Sequence, residues 1–180
     1  MPGAWRKRGG ATWSHIQIAD TPDNIFTTKV DMAKADLIIG CDAIVAANKA
    51  TLAAMQPGRT FVALNSHATP TATFVRNTEW QFPAGGCESA IAAAVGHEAL
   101  GVFDAEFVAV QALGDSIYAN PLLLGYAWQL GRVPLQLESV LRAMELNGVQ
   151  VQNNKAAFHW GRQCALNLSS VLAQFEARQV

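Results

Sequence analysis

Charge is what this 180-residue chain has least of: Asp, Glu, Lys and Arg make up 15% of it, against roughly a quarter in an average soluble domain. The net charge of −1 and pI near 6.4 leave no basic field to attract nucleic acid or an anionic membrane. So little charge in a chain that is 51% hydrophobic has two readings: outer faces covered by another polypeptide, or a well-filled core. Cysteine is equally sparse. Cys41, Cys87 and Cys164 are far apart, odd in number and form no C-x-x-C pair, so the chain by itself is not expected to ligate an iron–sulfur cluster or a structural zinc. Reduced, buried thiols are the expectation. No apolar run reaches the ~20 residues of a membrane helix, and the opening MPGAWRKRGG has no apolar signal-peptide core, so the simplest location is cytoplasmic. Histidines show no H-E-x-x-H or comparable spacing, and no metal site is expected. Gly9-Gly10 and Gly85-Gly86 are pairs, not a G-x-G-x-x-G after a strand, which leaves dinucleotide binding at a helix N-terminus unsupported.

What is present reads as one domain over 1–180, long enough to bury about 70% of its unfolded surface. Residues 1–8 are a basic arm, 9–104 an α/β part and 105–180 a mainly helical part. Ala11 to Ile18 alternates with period two and predicts a strand, followed by a turn at Pro22. Asp36-Leu-Ile-Ile39 is a continuous apolar run broken by Gly40, the pattern of a buried parallel strand. A helix is predicted from about Asp42 to Met55 and stopped by Gln56-Pro-Gly58, and Arg59 to Leu64 is the next strand. This β-α-β order belongs to a layered, mostly parallel, Rossmann-like sheet flanked by helices. A short helix over Glu88 to Gly96, a strand over Leu100 to Phe103 and a helix capped by Asp104 follow. The region 114–175 is helical: one helix opens at Asn120-Pro121 and ends at Gly131, a second runs from Pro134 to Asn147-Gly148, and a third carries an apolar stripe at Ala157, Trp160, Cys164, Leu168, Val171 and Phe175.

The run from GDSI at Gly114 through the LLGYAWQ, VPL, ELNG and AFHWGR segments to Arg162 resembles the C-terminal half of the gamma domain of 2-oxoacid:ferredoxin oxidoreductases, most closely the fused indolepyruvate type. GGATWSHIQIAD (Gly9 to Asp20) resembles that domain's KGG-x-x-x-SH segment, and ADLIIGCDAIVAANKATL with GRTFVALNSHATPT resembles its middle, so the resemblance spans about residues 6 to 165. It implies an enzyme complex that decarboxylates a 2-oxoacid on thiamine diphosphate and Mg, passes electrons through iron–sulfur clusters to ferredoxin and transfers the acyl group to coenzyme A. Thiamine and clusters lie in other subunits or domains, so this chain is expected to be a component, inactive alone, that contributes assembly and coenzyme A contacts. The resemblance also implies that the family's first β-α unit is absent, with the gap filled by rearrangement, a partner chain or homo-oligomerisation of the isolated chain.

No catalytic residue is assigned. The candidate ligand or interface residues are His15, Asn65, His67, Thr69, Asp115 and Asn120, with Trp80 and Trp128 as candidate interface anchors. His15 matches the family's SH position; Ser14 beside it points to the opposite face of a strand and cannot form a triad-like pair. Asn65, His67 and Thr69 fall just past the carboxyl end of a parallel strand, where open α/β sheets bind ligands. Gly114-Asp115-Ser116 followed by Asn120 slightly resembles a thiamine diphosphate signature, but the third Gly is missing and the Asn is too near. Capping of a turn by Asp115 or Ser116 and of the next helix by Asn120 is the expected role. His97 follows a helix-ending glycine and His159 flanks Trp160, and both are expected to be structural. Two further readings stand beside the oxidoreductase component: a free-standing small-ligand-binding α/β module, and a non-catalytic assembly domain.

Overall fold

The structure, a computed structural model, describes residues 12–67 and 86–177. Two units divide at Val30 and Asp31. In the first unit, the period-two segment from Thr12 to Ile18 forms no strand. A strand needs a neighbour for its N–H and C=O groups, and this segment meets residues 27–30 through its side chains rather than through a backbone ladder. Gln17 donates from Nε2 to the Thr27 and Lys29 carbonyls at 2.9 and 3.1 Å, and the Val30 N–H donates to His15 Nδ1 at 3.2 Å. The turn at Pro22 is present as a 3-10 turn over Pro22–Asn24.

The second unit is built on a parallel sheet of three strands among the described residues: β1 (Leu37–Gly40), β2 (Phe61–Asn65) and β3 (Leu100–Phe103), in the order β1-β2-β3. Leu37 pairs with Phe61, and Asn65 pairs with Phe103 at the carboxyl end. All five residues of β2 are buried, the apolar run Phe61 to Leu64 together with the polar Asn65 that ends it. The helices are α1 (Ala43–Ala46), α2 (Lys49–Ala54), α3 (Gly86–Val95), α4 (Ala105–Leu113), α5 (Ala119–Gln129), α6 (Leu137–Asn147) and α7 (Val151–Glu176). Because the strands step across the sheet in one direction, both crossovers bring their helices to the same face. Val62 and Leu64 of β2 meet Ala46, Met55, Ile91 and Val95 there, while Phe61 and Ala63 point to the other face against α4, α5 and α7. The result is a three-layer α/β arrangement with a helical C-terminal region, the class expected from the sequence.

Three helix boundaries differ from expectation, each for a local reason. The helix predicted over Asp42 to Met55 is two: Asp42 caps the first through bonds from the Ile44 and Val45 N–H groups, and Asn48 interrupts the pattern by capping the second, its Oδ1 accepting from Thr51 N at 2.9 Å. The helix expected to open at Asn120-Pro121 starts at Ala119, with Tyr118 rather than Asn120 at the capping position. Pro121 still lies in the first turn, where its missing N–H has no intrahelical partner to lose. The second helix starts at Leu137, not Pro134, because residues 133–135 close a tight turn whose Leu135 carbonyl accepts from Trp128 Nε1 at 2.8 Å.

The third helix forms as predicted but breaks at Asn167, whose backbone is extended (φ −161°, ψ 88°). Asn167 Oδ1 accepts from Ser170 N at 3.0 Å and so caps the segment that continues to Glu176. Val171 and Phe175 are thereby buried with Ala157 and Cys164, while Trp160 and Leu168 of the expected stripe are half-buried against the same cluster. α5 and α7 pack closest of all. Gly125 faces the Phe158 carbonyl and Gly161 faces the Leu122 carbonyl, and a Cβ on either glycine would fall far inside contact distance of that oxygen.

Candidate functional site

The carboxyl end of β2 is where polar chemistry collects. Asn65 ends the strand and is 1% exposed, yet each polar atom of its side chain is bonded. Oδ1 accepts from the backbone N–H of Ala105 at 3.0 Å and of His67 at 3.2 Å; Nδ2 donates to the Cys41 carbonyl and to Glu106 Oε1, both at 3.2 Å. One buried amide thus ties together the end of β1, the exit of β2 and the first turn of α4.

His67 sits two residues on, exposed, with Nδ1 3.2 Å from Asp104 Oδ2 and Nε2 3.7 Å from Glu106 Oε2. Asp104 also caps α4, its Oδ1 accepting from Phe107 N at 2.7 Å. Both carboxylates therefore occupy the positive end of the α4 dipole. The hydrogen bond with Asp104, reinforced by the charge of Glu106, raises the His67 pKa above its ordinary value; the small loss of hydration opposes this and is outweighed.

A group with a raised folded-state pKa stabilises the fold fully below its unfolded pKa, near 6.5 for histidine, and loses that contribution as pH rises through the folded value. Urea unfolding of wild type and His67→Gln between pH 5 and 9 is expected to differ most at the acid end and to converge at the alkaline end. A difference that does not change with pH would remove the ion pairs from the account.

Chemically, the arrangement sets an imidazole between two carboxylates that favour its protonated form. No serine or cysteine nucleophile bonds to His67 among the described residues, and no group of three or more His, Cys, Asp or Glu is placed there to hold a metal ion. The α4 N-terminus is filled by the chain's own Asp104 and Glu106, so the anion site that a helix start can offer is already taken. Cysteine reactivity is low as well: burial, aided by Asp42, pushes the Cys41 thiol up, and burial pushes Cys164 up to about 12.

The other residues singled out in the sequence do not converge here. Thr69 and Trp80 lie outside the described residues. His15 belongs to the N-terminal unit, where it accepts from Val30 N. Asp115 is exposed and caps a 3-10 turn at Ser116–Tyr118 by accepting from Ile117 N at 2.9 Å; Asn120 is exposed in the first turn of α5. Cys41 and Cys164 pack against the core on one face of the sheet and Cys87 on the other, which does not fit a shared iron–sulfur cluster. His97 lines an open groove of about 260 Å³ between α3 and β3. Trp128 is half-buried on α5 beside Arg162 and Phe158. Glu106 was missed as a site residue. The available signal was the spacing Asp104-x-Glu106 directly after an apolar strand, which puts two carboxylates in the first helical turn at the ligand-binding edge of a parallel sheet.

The profile of the pyruvate ferredoxin/flavodoxin oxidoreductase family matches residues 4–164. The chain belongs to this family. The match encloses the sheet, the His67 cluster and the α5–α7 glycine contact, and supports a component of a 2-oxoacid:ferredoxin oxidoreductase. No curated protein and no solved structure matches this oxidoreductase-family chain significantly.

Proposed function

We propose that this chain is the gamma component of a 2-oxoacid:ferredoxin oxidoreductase of the indolepyruvate type, contributing assembly contacts and contacts to coenzyme A while other subunits carry the thiamine diphosphate, Mg and iron–sulfur chemistry. The family match over residues 4–164 carries this reading. The indolepyruvate assignment rests on the LLGYAWQ and AFHWGR segments. Coenzyme A phosphates would be repelled by Asp104 and Glu106, so contacts to them belong away from the β2 exit. That acidic edge, with His67 exposed, suits a cationic side chain of a partner subunit. Ferredoxin interacts through the complex, and the isolated chain is expected to form homo-oligomers that cover its apolar faces.

The experiment is to co-purify the chain with the products of neighbouring genes and measure reduction of a viologen dye that depends on indolepyruvate or pyruvate and coenzyme A. Activity is expected to require this chain and to favour indolepyruvate. Full activity of the remaining subunits without it would overturn the component role, and a preference for pyruvate would overturn the substrate assignment alone.

A further inference from the structure

The LLGYAWQ and AFHWGR segments meet at a second polar constellation, on the side of α5 and α7 where Trp128 lies. Arg162 stacks its guanidinium over the Trp128 ring at 5.0 Å, donates from Nε to Gln129 Oε1 at 2.9 Å and sets Nη1 3.2 Å from His159 Nδ1. The ring beneath is itself held, by the Trp128 Nε1 bond to the Leu135 carbonyl and by the Phe158 ring at 5.9 Å. Every partner of this arginine is neutral. Gln129 is an amide and Trp128 an indole. Desolvation first, then the charges of Arg162 and Lys155, pushes the His159 pKa down, which favours the uncharged imidazole beside the guanidinium.

No carboxylate pairs with Arg162 among the described residues, and Nη2 has no hydrogen bond there. The contrast with its neighbours is informative. Arg142 and Lys155 each pair with Glu145, and Arg59 with Asp36. An ordinary surface arginine loses rotamer entropy when fixed, and an exposed ion pair barely repays that loss. Arg162 is fixed by three partners and neutralised by none, which is how a planar fork is readied for an incoming oxyanion.

We propose that Arg162, oriented by Trp128, Gln129 and His159, forms an oxyanion-recognition site that takes a carboxylate or phosphate group on the free Nη2 side of the guanidinium. The site rests on geometry alone and stands whether or not the chain is an oxidoreductase component. An anion bound there adds negative charge beside His159 and relieves the repulsion from Arg162, so the imidazole titrates at a higher pH when the site is filled.

The experiment follows the His159 ring by NMR in the full chain, with His159→Gln assigning its signal among the four histidines. The ring pKa is measured while inorganic phosphate, and separately acetate, is added at constant ionic strength. A saturable upward shift is expected with at least one probe, at least tenfold weaker in Arg162→Gln, since a charge-assisted hydrogen bond is worth about 1.5–3 kcal/mol. Saturation with phosphate only assigns a phosphoryl ligand, and saturation with acetate only assigns a carboxylate. Shifts that fail to saturate, or that are unchanged in Arg162→Gln, overturn the proposal. Should Arg162→Gln not fold, Arg162→Lys keeps the charge, loses the fork and is expected to bind more weakly, and the wild-type titration alone still decides.

Discussion

Replacing Gly161 by alanine is expected to collapse the C-terminal half of the fold. The new methyl would occupy the space of the Leu122 carbonyl oxygen and crowd the Tyr126 backbone nitrogen, so α5 and α7 cannot keep their present separation. Backbone cannot turn aside as a flexible side chain can. Moving the helices apart loosens Leu122, Leu123, Ala157 and Phe158, all fully buried on this interface. Overpacking that forces backbone shifts costs about 1–3 kcal/mol and sometimes more, and the packing lost on helix separation adds to it. We expect a total of about 4 kcal/mol or more, a large part of the ~5–15 kcal/mol that holds a typical domain together. Gly125→Ala meets the Phe158 carbonyl in the same way and should behave alike. Thermal unfolding followed by circular dichroism should place either variant about 10 °C or more below wild type, or find no cooperative transition. A midpoint within about 3 °C of wild type would show that the helices do not approach this closely. The double variant should lose less than the sum of the singles, since one separation relieves both clashes.

Asn65→Ala should be nearly as damaging, for the opposite reason. Nothing clashes; instead the Ala105 and His67 N–H groups and the Cys41 carbonyl lose their partner at a position 1% exposed. A buried polar group left unpaired costs about 1–3 kcal/mol, and with partial access of water we expect a total of about 3–5 kcal/mol. Asn65→Asp separates the hydrogen-bond roles. It keeps an acceptor for the two N–H groups but turns the donor toward Glu106 Oε1 into a second carboxylate oxygen. Two carboxylates at that distance cannot both ionise cheaply, so one takes up protons more readily in the folded state than when unfolded. By linkage, Asn65→Asp should be closest to wild type near pH 4 and lose stability as pH rises. Chemical denaturation at pH 4 and pH 8 tests this, and an equal deficit at both would mean that the Glu106 contact is not formed.

Much of this architecture was readable from residue order. The apolar run Leu37 to Ile39, the run into Leu64 and the short Leu100 to Phe103 pattern are the three observed strands, and Asp104 caps the helix it was expected to cap. Errors arose where one residue type serves two local roles. Asn48 falls inside the span predicted as one helix and is a cap, while Asn120 looked like a cap and lies inside a first turn. The alternation from Thr12 to Ile18 failed differently, because a strand's existence depends on a neighbour that its own pattern does not name. At the candidate site, Asn65 and His67 were found from their place after a strand. Glu106 was not, because its role depends on β2 and α4 meeting.

Residue order alone thus determined most of the segments that become strands and helices in the sheet-bearing unit, and which of their faces are apolar, since periodicity and capping act within a few residues of chain. Tertiary structure decided everything that joins distant segments: Asn65 bonding across 41 positions to Glu106, Arg162 reaching Gln129 across 33, and Gly125 and Gly161 touching each other's helices. The physical reason is that a carboxylate, a guanidinium or a missing Cβ carries the same local signal wherever it stands. Its effect is set by the partner that packing brings within a few ångströms.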